Sequence, residues 1–190
     1  MDLRIEKTYR SLIAAFTNLL EEHPYEDITV AMLCDEAMIR RTTFYKHFAD
    51  KAAFFAFFVD SLKIDLERRS GQGEDGSSPQ TAQEERIAIF QQLIDFLLEH
   101  ERLMDNIFAS SMIGSMTLVM CSKVAESISE RCREEYSASK NADVPLDAAA
   151  QFAAGGIMRL LQTWWERGHA AEDEEKFVKA SNTLVERVLG

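Results

Sequence analysis

The sequence predicts an all-α protein, and three observations carry that prediction. Apolar residues recur at steps of three and four along most of the 190 residues, which is the spacing of one helix face. Only three prolines and eight glycines are present, so little is available to end the many short strands of a β protein. Hydrophobic residues make up 46% of the chain, which is enough for one or two helical cores.

Charge and cysteine content narrow the class of protein. The formal net charge is -11, which argues against general coating of nucleic acid by the whole surface but leaves room for a local basic face. The three cysteines are widely spaced and odd in number, which is typical of reduced thiols in a cytoplasmic protein. No apolar run of about 18 residues occurs and the N-terminus lacks the apolar core of a signal peptide, so we expect a cytoplasmic protein without a membrane span.

The first two helices are predicted from their apolar stripe and their end signals. The first runs from about Leu3 to His23, and Pro24 ends it because a helix disfavours the residue that precedes proline. Thr29 is a suitable N-cap for a second helix over Val30–Ala37, since its hydroxyl can accept a hydrogen bond from the free amides of the first turn. The stripe of the first helix consists of Ile5, Tyr9, Leu12, Ile13, Phe16, Leu19 and Leu20.

A turn at Met38–Ile39 separates the second helix from a third helix that begins near Arg40. Phe44 and Phe48 lie one helical turn apart and give the third helix a buried face. Three short helices with a tight second turn are typical of a helix-turn-helix module, in which the last helix enters the major groove of DNA.

The rest of the chain is also predicted to be helical. Asp50 is expected to cap a long helix from Lys51 to about Arg69, whose first half is apolar nearly all round and therefore needs several packing partners. Residues 70–83 are rich in Gly and Ser, which predicts a flexible link. The later helices are expected over Glu84–Glu99, Leu103–Phe108, Ser110–Ser137, Ala148–Arg167 with Asp147 as N-cap and Gly168 as the stop, and Glu172–Leu189.

Cationic side chains gather around the third helix, although the chain as a whole is acidic. The amides and dipole at the start of a helix favour an anion, and hydroxyl and cationic side chains on its outer face suit phosphates and base edges. Alternatively, the charges form a solvated face, Tyr45 is a packing residue, and His47 makes a structural hydrogen bond instead of a phosphate contact. The candidate DNA-contacting residues are Thr29, Arg40, Arg41, Thr42, Thr43, Tyr45, Lys46, His47 and Lys51.

The order and spacing of these residues resemble the DNA-binding domain of the TetR/AcrR type of transcriptional regulators. The pattern is carried by Thr29, by Ala37-Met38-Ile39-Arg40, by Thr43-Phe44-Tyr45, by His47-Phe48 and by Lys51. The resemblance implies a helix-turn-helix domain over residues 1–52 and a helical regulatory and dimerisation domain over residues 53–190. Two residues depart from the family pattern: Met38 stands where glycine is usual, which predicts backbone strain, and Arg40 stands where a serine cap is usual.

The resemblance also implies two further sites in the regulatory domain. The last two long helices would pair with those of a second subunit, through Gly155, Gly156, Leu160, Trp165, Leu184 and Val188. A pocket for a small apolar or amphipathic ligand would be lined by Phe58, Leu62, Phe90, Met104, Phe108, Met112, Met116, Met120 and Trp164, for each of which core packing is the alternative.

The sequence offers no motif for catalysis or for metal binding. The cysteines and histidines show no short metal-ligand spacing, and no nucleophile elbow or glycine-rich phosphate loop occurs, so we expect neither an enzyme nor a cofactor. The function predicted is a DNA-binding homodimer on a palindromic operator, acting as a repressor relieved by a small ligand. The alternatives are an adaptor or co-activator that binds a ligand or protein without its own DNA site, and a small helical enzyme.

Overall fold

The structure is a computed structural model that describes residues 3–70, 81–137, 143–169 and 171–189. Every regular element within these ranges is helical, which confirms the predicted all-α class. A 3-10 turn over Tyr25–Asp27 follows the first α-helix. The α-helices are α1 (Leu3–Glu22), α2 (Val30–Glu36), α3 (Arg41–His47), α4 (Lys51–Ser70), α5 (Ala82–Glu99), α6 (Glu101–Ala109), α7 (Ile113–Ser137), α8 (Leu146–Glu166) and α9 (Ala171–Leu189).

Two of the predicted N-caps are confirmed by side-chain hydrogen bonds. The Thr29 hydroxyl accepts from the amide of Met32 at 3.2 Å, and the Asp50 carboxylate accepts from the amide of Ala53 at 2.7 Å. Each bond satisfies an amide that has no partner within the first turn of its helix, which stabilises the helix by about 1 kcal/mol.

The ends of α8 differ in part from the prediction. Asp147 as N-cap is wrong, because the helix begins at Leu146, two residues earlier than predicted, and Pro145 occupies the cap position. Proline fits the start of a helix because its ring fixes φ and no amide is lost there, and Asp147 then lies in the first turn, where a carboxylate is favourable to the dipole. Gly168 follows the helix with φ of 91°, as expected of a glycine stop.

The predicted link over residues 70–83 is described only at its ends. There α4 continues to Ser70 and α5 begins at Ala82, so both ends are helical. Residues 71–80 lie outside the described residues. No disulfide joins Cys34, Cys121 and Cys132, all of which lie within the described residues.

The first of two compact units contains the chain up to Ser61 together with Leu97–Met116. Its core is aromatic: Phe16 and Phe54 are fully buried and meet edge to face with ring centroids 5.3 Å apart. Such pairs contribute about 0.5–1.5 kcal/mol beyond area burial. In this unit α1 packs against both α2 and α6, so the apolar stripe predicted for α1 forms the centre of the unit.

The second unit contains Leu62–Phe96 and the chain from Thr117 onward. Its α8 packs against α9, where Ile157, Val185 and Leu189 are buried in one cluster. Ala150 and Ala154 on α8 are fully buried beside Ala125 of α7, because small side chains allow two helices to approach closely. The functional boundary predicted at residue 52 stays a prediction.

Over the described residues, no single helix combines the length and apolar character needed to cross a membrane. The bent pair Glu101–Ala109 and Ile113–Arg133 meets both criteria only when its two helices are taken together, by length and composition alone.

Candidate nucleic-acid interface

The turn between α2 and α3 has the left-handed backbone that the sequence predicted. Met38 has φ of 53°, and its amide donates to the carbonyl of Asp35 at 3.1 Å. The next amide, of Ile39, donates to the carbonyl of Cys34 at 2.9 Å, so the carbonyls at the end of α2 are satisfied. The Met38 side chain is 92% exposed and gains no packing that would offset the steric cost of this backbone, which is roughly 1–2 kcal/mol.

The first turn of α3 lacks a side-chain cap, as predicted. Arg40 is the N-cap residue, with extended backbone, and makes no side-chain hydrogen bond to the helix. Its carbonyl accepts from the amides of Thr43 and Phe44 at 2.8 and 3.2 Å. The exposed Arg40 side chain therefore contributes a cation, instead of a capping oxygen, beside the free amides of α3.

The two faces of α3 differ sharply in burial. Phe44 is fully buried and Phe48, just past the helix end, is 7% exposed, which fixes the helix against the aromatic core. The opposite face presents donors to solvent, and Tyr45 is 57% exposed there. The candidate contact residues that are exposed are Thr29, Arg40, Arg41, Thr42, Tyr45 and Lys46.

His47 and Thr43 are only half-buried, and His47 has a partner within the chain. Its Nδ1 lies 3.2 Å from the hydroxyl oxygen of Tyr9, and the two rings meet edge to face at 5.2 Å. This is the structural hydrogen bond that the sequence left open as an alternative. A phosphate contact by His47 stays a prediction.

Lys51 makes contacts that the sequence did not indicate. Its ammonium donates to the carbonyls of Tyr25 and Ile28, both at 2.6 Å, and lies 4.2 Å from the centroid of the Tyr25 ring. Burial lowers the pKa of Lys51, while the charges of Glu26 and Asp27 act in the opposite direction. Lys51 thus joins the start of α4 to the 3-10 turn, and its predicted phosphate contact stays a prediction.

The predicted ligand-pocket residues divide between the two units. Phe58, Met104 and Met116 are buried in the first unit, whereas Phe108 is half-buried and Met112 is 42% exposed there. In the second unit, Trp164 is buried and stacks on Phe177 with ring centroids 5.8 Å apart. The remaining residues of the set are half-buried in the second unit: Leu62, Phe90 and Met120. The pocket stays a prediction.

The predicted dimer residues differ in how much surface they offer. Gly155 and Gly156 are exposed, and a Cβ added at either would meet no atom within 4 Å. Leu184 is 47% exposed, Leu160 and Val188 are half-buried, and Trp165 is buried against the ring of His169. Sequence reasoning missed Phe152, which is 73% exposed on α8. Its position three residues before Gly155 on the same helix face was the available signal.

Among the residues that the structure describes, no group of three or more His, Cys, Asp or Glu side chains is placed to hold a metal ion.

The arrangement of α2, the left-handed turn and the exposed cationic face of α3 defines a helix-turn-helix protein. Residues 12–56 match the family model described as bacterial regulatory proteins, tetR family. Over these residues, which include the helix-turn-helix, the chain is similar to transcription regulators of this family. A comparison with curated proteins gives no match.

Solved structures of TetR-type regulators share the fold over nearly the whole chain. A TetR transcriptional regulator from Streptococcus agalactiae 2603V is 26% identical, with a TM-score of 0.59, covering 97% of this chain and 96% of that one. The fatty acid degradation regulator FadR from Bacillus halodurans is 16% identical, with a TM-score of 0.60 and coverage of 96% and 94%. FadR from Bacillus subtilis, solved with stearoyl-CoA, is 15% identical, with a TM-score of 0.53 and coverage of 96% and 98%.

Proposed function

We propose that the protein is a sequence-specific DNA-binding repressor that binds a palindromic operator as a homodimer. The observation that carries the proposal is the exposed face of α3, where Arg40, Arg41 and Lys46 are presented to solvent on a chain of net charge -11. Cations clustered on one helix face suit the phosphate backbone, and Thr42 and Tyr45 on the same face add donors for phosphates and bases.

The homodimer is supported by an apolar face that the chain itself leaves uncovered. Phe152 on α8 and Leu184 on α9 are exposed, and the two helices pack against each other within the second unit. Gly155 and Gly156 lie on α8 with open space above them, so another helix could approach the backbone closely there. To bind two half-sites one helical turn apart, a two-fold dimer must hold its two copies of α3 about 34–36 Å apart.

A small apolar or amphipathic ligand is the proposed signal. The FadR structure from Bacillus subtilis contains stearoyl-CoA, a ligand of that type. In this chain, methionines supply adaptable apolar surface at Met104, Met112, Met116 and Met120. A ligand that binds better to one spacing of the recognition helices than to the other would shift the dimer toward that spacing and release DNA.

An adaptor or activator is the second candidate, and two observations favour it. Met38 and Arg40 depart from the sequence pattern of the DNA-binding domain, and the turn at Met38 is strained. One protein of the same fold, at 18% identity and a TM-score of 0.59 over 95% of this chain and 96% of that one, is described as the dihydroxyacetone kinase operon activator DhaS. The fold is therefore compatible with activation as well as with repression of transcription.

An unbiased DNA selection separates the two candidates. Purified full-length protein is incubated at low salt, without added ligand, with a library of random duplexes, and the bound fraction is sequenced over several rounds. A repressor of this type enriches one palindromic site with half-sites one or two helical turns apart. Enrichment of no site by a folded, dimeric protein would contradict direct DNA binding and support the adaptor.

A further inference from the structure

The 3-10 turn Tyr25–Asp27 carries a carboxylate that is bound by a distant part of the chain. The Oε2 atom of Glu26 accepts a hydrogen bond from the hydroxyl of Ser110 at 2.5 Å, and its Oε1 accepts from the amide of Ser111 at 2.9 Å. Ser110 is only 2% exposed. Two donors on one carboxylate form charge-assisted bonds, which are stronger than bonds between neutral groups.

The carboxylate lies at the start of α7, where backbone amides need acceptors. The Ser110 hydroxyl accepts from the amide of Met112 at 3.1 Å, and the amide of Ser111 goes to Glu26. These two amides immediately precede Ile113, the first residue of α7. Glu26 therefore acts as a cap supplied from another element, and its negative charge is favourable to the dipole of α7.

The same turn is also bound by Lys51, the first residue of α4, and leads directly into α2. The Lys51 ammonium at the start of α4 donates to the carbonyls of Tyr25 and Ile28, both at 2.6 Å. Thr29, the N-cap of α2, follows directly after Ile28. Hydrogen bonds thus join the turn to the α6–α7 corner (Ser110–Met112) and to the start of α4, and α2 follows the turn directly along the chain.

Two more polar bonds tie α6 and the residue before it to the end of α1. The side-chain amide of Asn106 donates to the carbonyl of Leu20 at 2.8 Å, and the Nδ1 atom of His100 lies 2.9 Å from Oε1 of Glu21. Together with the helix contacts between α1 and α6, these two bonds fix α6, and with it the α6–α7 corner, against α1. A displacement of the α6–α7 corner relative to α1 would therefore act on Glu26.

We infer that Glu26 is a positioning residue for DNA binding, through which the α6–α7 corner holds the 3-10 turn and with it α2 and α4. The inference rests on the proposed function. Glu26 itself lies in the turn and not on α3, so its effect on DNA is exerted through the elements that the turn holds. Loss of its bonds to Ser110 and Ser111 leaves the turn held by Lys51 and by the packing of Tyr25 on Phe16 and Phe55, without a bond to the α6–α7 corner, and loosens the start of α2.

The test compares Glu26→Gln with Asp27→Asn in the full-length chain. Both variants remove one negative charge from the same turn, and Asp27 is exposed beside Glu26. Removing a negative charge near DNA alone strengthens binding, so Asp27→Asn is expected to bind a selected site equally or more tightly. Glu26→Gln is expected to bind about 3- to 10-fold more weakly, because positioning is lost despite the more favourable charge.

A double-mutant cycle shows whether the effect runs through Ser110. Ser110→Ala removes one of the two donors and is expected to weaken DNA binding in the same direction as Glu26→Gln. The double variant should then lose less affinity than the product of the two single losses, since both changes break the same hydrogen bond between Ser110 and Glu26. Equal binding by Glu26→Gln and Asp27→Asn, or independent effects of Glu26 and Ser110, would overturn the inference.

Hydrogen exchange tests the positioning role of Glu26 in the free protein, without relying on DNA binding. The amides of Leu33 and Ala37 at α2 and of Phe54 in α4 are measured in the free variants under conditions where global unfolding is slower than local opening. They are expected to exchange faster in Glu26→Gln, and in Ser110→Ala, than in Asp27→Asn. If the wild-type chain binds no DNA, the proposed function fails and this measurement alone decides whether Glu26 holds α2 and α4. Equal exchange in all three variants refutes that role.

Discussion

At the scale of single residues, Met38 shows most clearly a conformation that its side chain does not favour. Its φ of 53° is left-handed and its side chain is 92% exposed, so Met38→Gly removes the steric cost and almost no packing. We expect this change to raise the free energy of unfolding by roughly 1 kcal/mol, measured by urea denaturation. Met38→Ala keeps the Cβ and should stay within about 0.5 kcal/mol of the wild type. A glycine variant no more stable than the alanine variant would contradict the strain.

Glu26 predicts a dependence of stability on pH. The Ser110 hydroxyl, and then the Ser111 amide, lower the pKa of this carboxyl from 4.5 to about 2. Because the folded-state pKa is the lower one, the stabilisation by Glu26 is fully present above the ordinary value of 4.5 and is lost as pH falls through about 2. The difference in unfolding free energy between wild type and Glu26→Gln should be constant near neutral pH and shrink below pH 4.5. A difference that does not change with pH would exclude these bonds as its cause.

At the scale of elements, the start of α3 combines a missing cap with a cation. Arg40 occupies the N-cap with extended backbone and makes no side-chain bond to the helix. Arg40→Ser should stabilise the fold by about 0.5–1 kcal/mol, since serine can accept from a free amide of the first turn. The same change should weaken DNA binding at low salt because a phosphate partner is lost. Unfolding and titration of one operator measure the two effects. A gain in both stability and affinity would show that Arg40 makes no DNA contact.

The helices themselves could be predicted because their signals are local. The apolar stripe of α1, the caps at Thr29 and Asp50 and the stop at Gly168 each depend on residues within a few positions of one another. The contacts of Glu26 with Ser110 and of Lys51 with Tyr25 join residues 84 and 26 positions apart. No periodicity relates such pairs, so they follow only from the packing of α6 on α1 and of α4 beside the turn. The Tyr9 partner of His47 was missed for the same reason.

At the scale of the whole molecule, the uncovered face of α8 predicts the oligomeric state. Phe152 is 73% exposed there, and burying it against a second copy would contribute about 1.5–3 kcal/mol per side chain. Phe152→Glu should shift the protein to a monomer in sedimentation velocity at micromolar concentration, because two carboxylates would meet at the interface. Gln151→Glu adds the same charge at the neighbouring exposed position and should leave the dimer intact. Dimers of equal stability in both variants would place the interface elsewhere.

The distribution of charge predicts how salt acts on the complex with DNA. The acidic body repels DNA, so attraction depends on the exposed cations Arg40, Arg41 and Lys46 of each subunit. Release of counterions by these residues in a dimer gives a slope of log K against log salt of roughly -5. Arg41→Ala should weaken binding at low salt and reduce the size of this slope by about 2, since both subunits lose one contact.

Arg133→Ala is the matched control for Arg41→Ala, because it removes an exposed arginine of the same chemistry from α7, a helix that is not part of the helix-turn-helix module. Titrations of one fluorescent operator duplex between about 50 and 200 mM salt give the slopes of the three proteins. The Arg133 variant should match the wild type in both affinity and slope. If the two arginine variants changed the slope equally, attraction to DNA would be a property of total charge, and α3 would lose its assignment as the element that contacts phosphate.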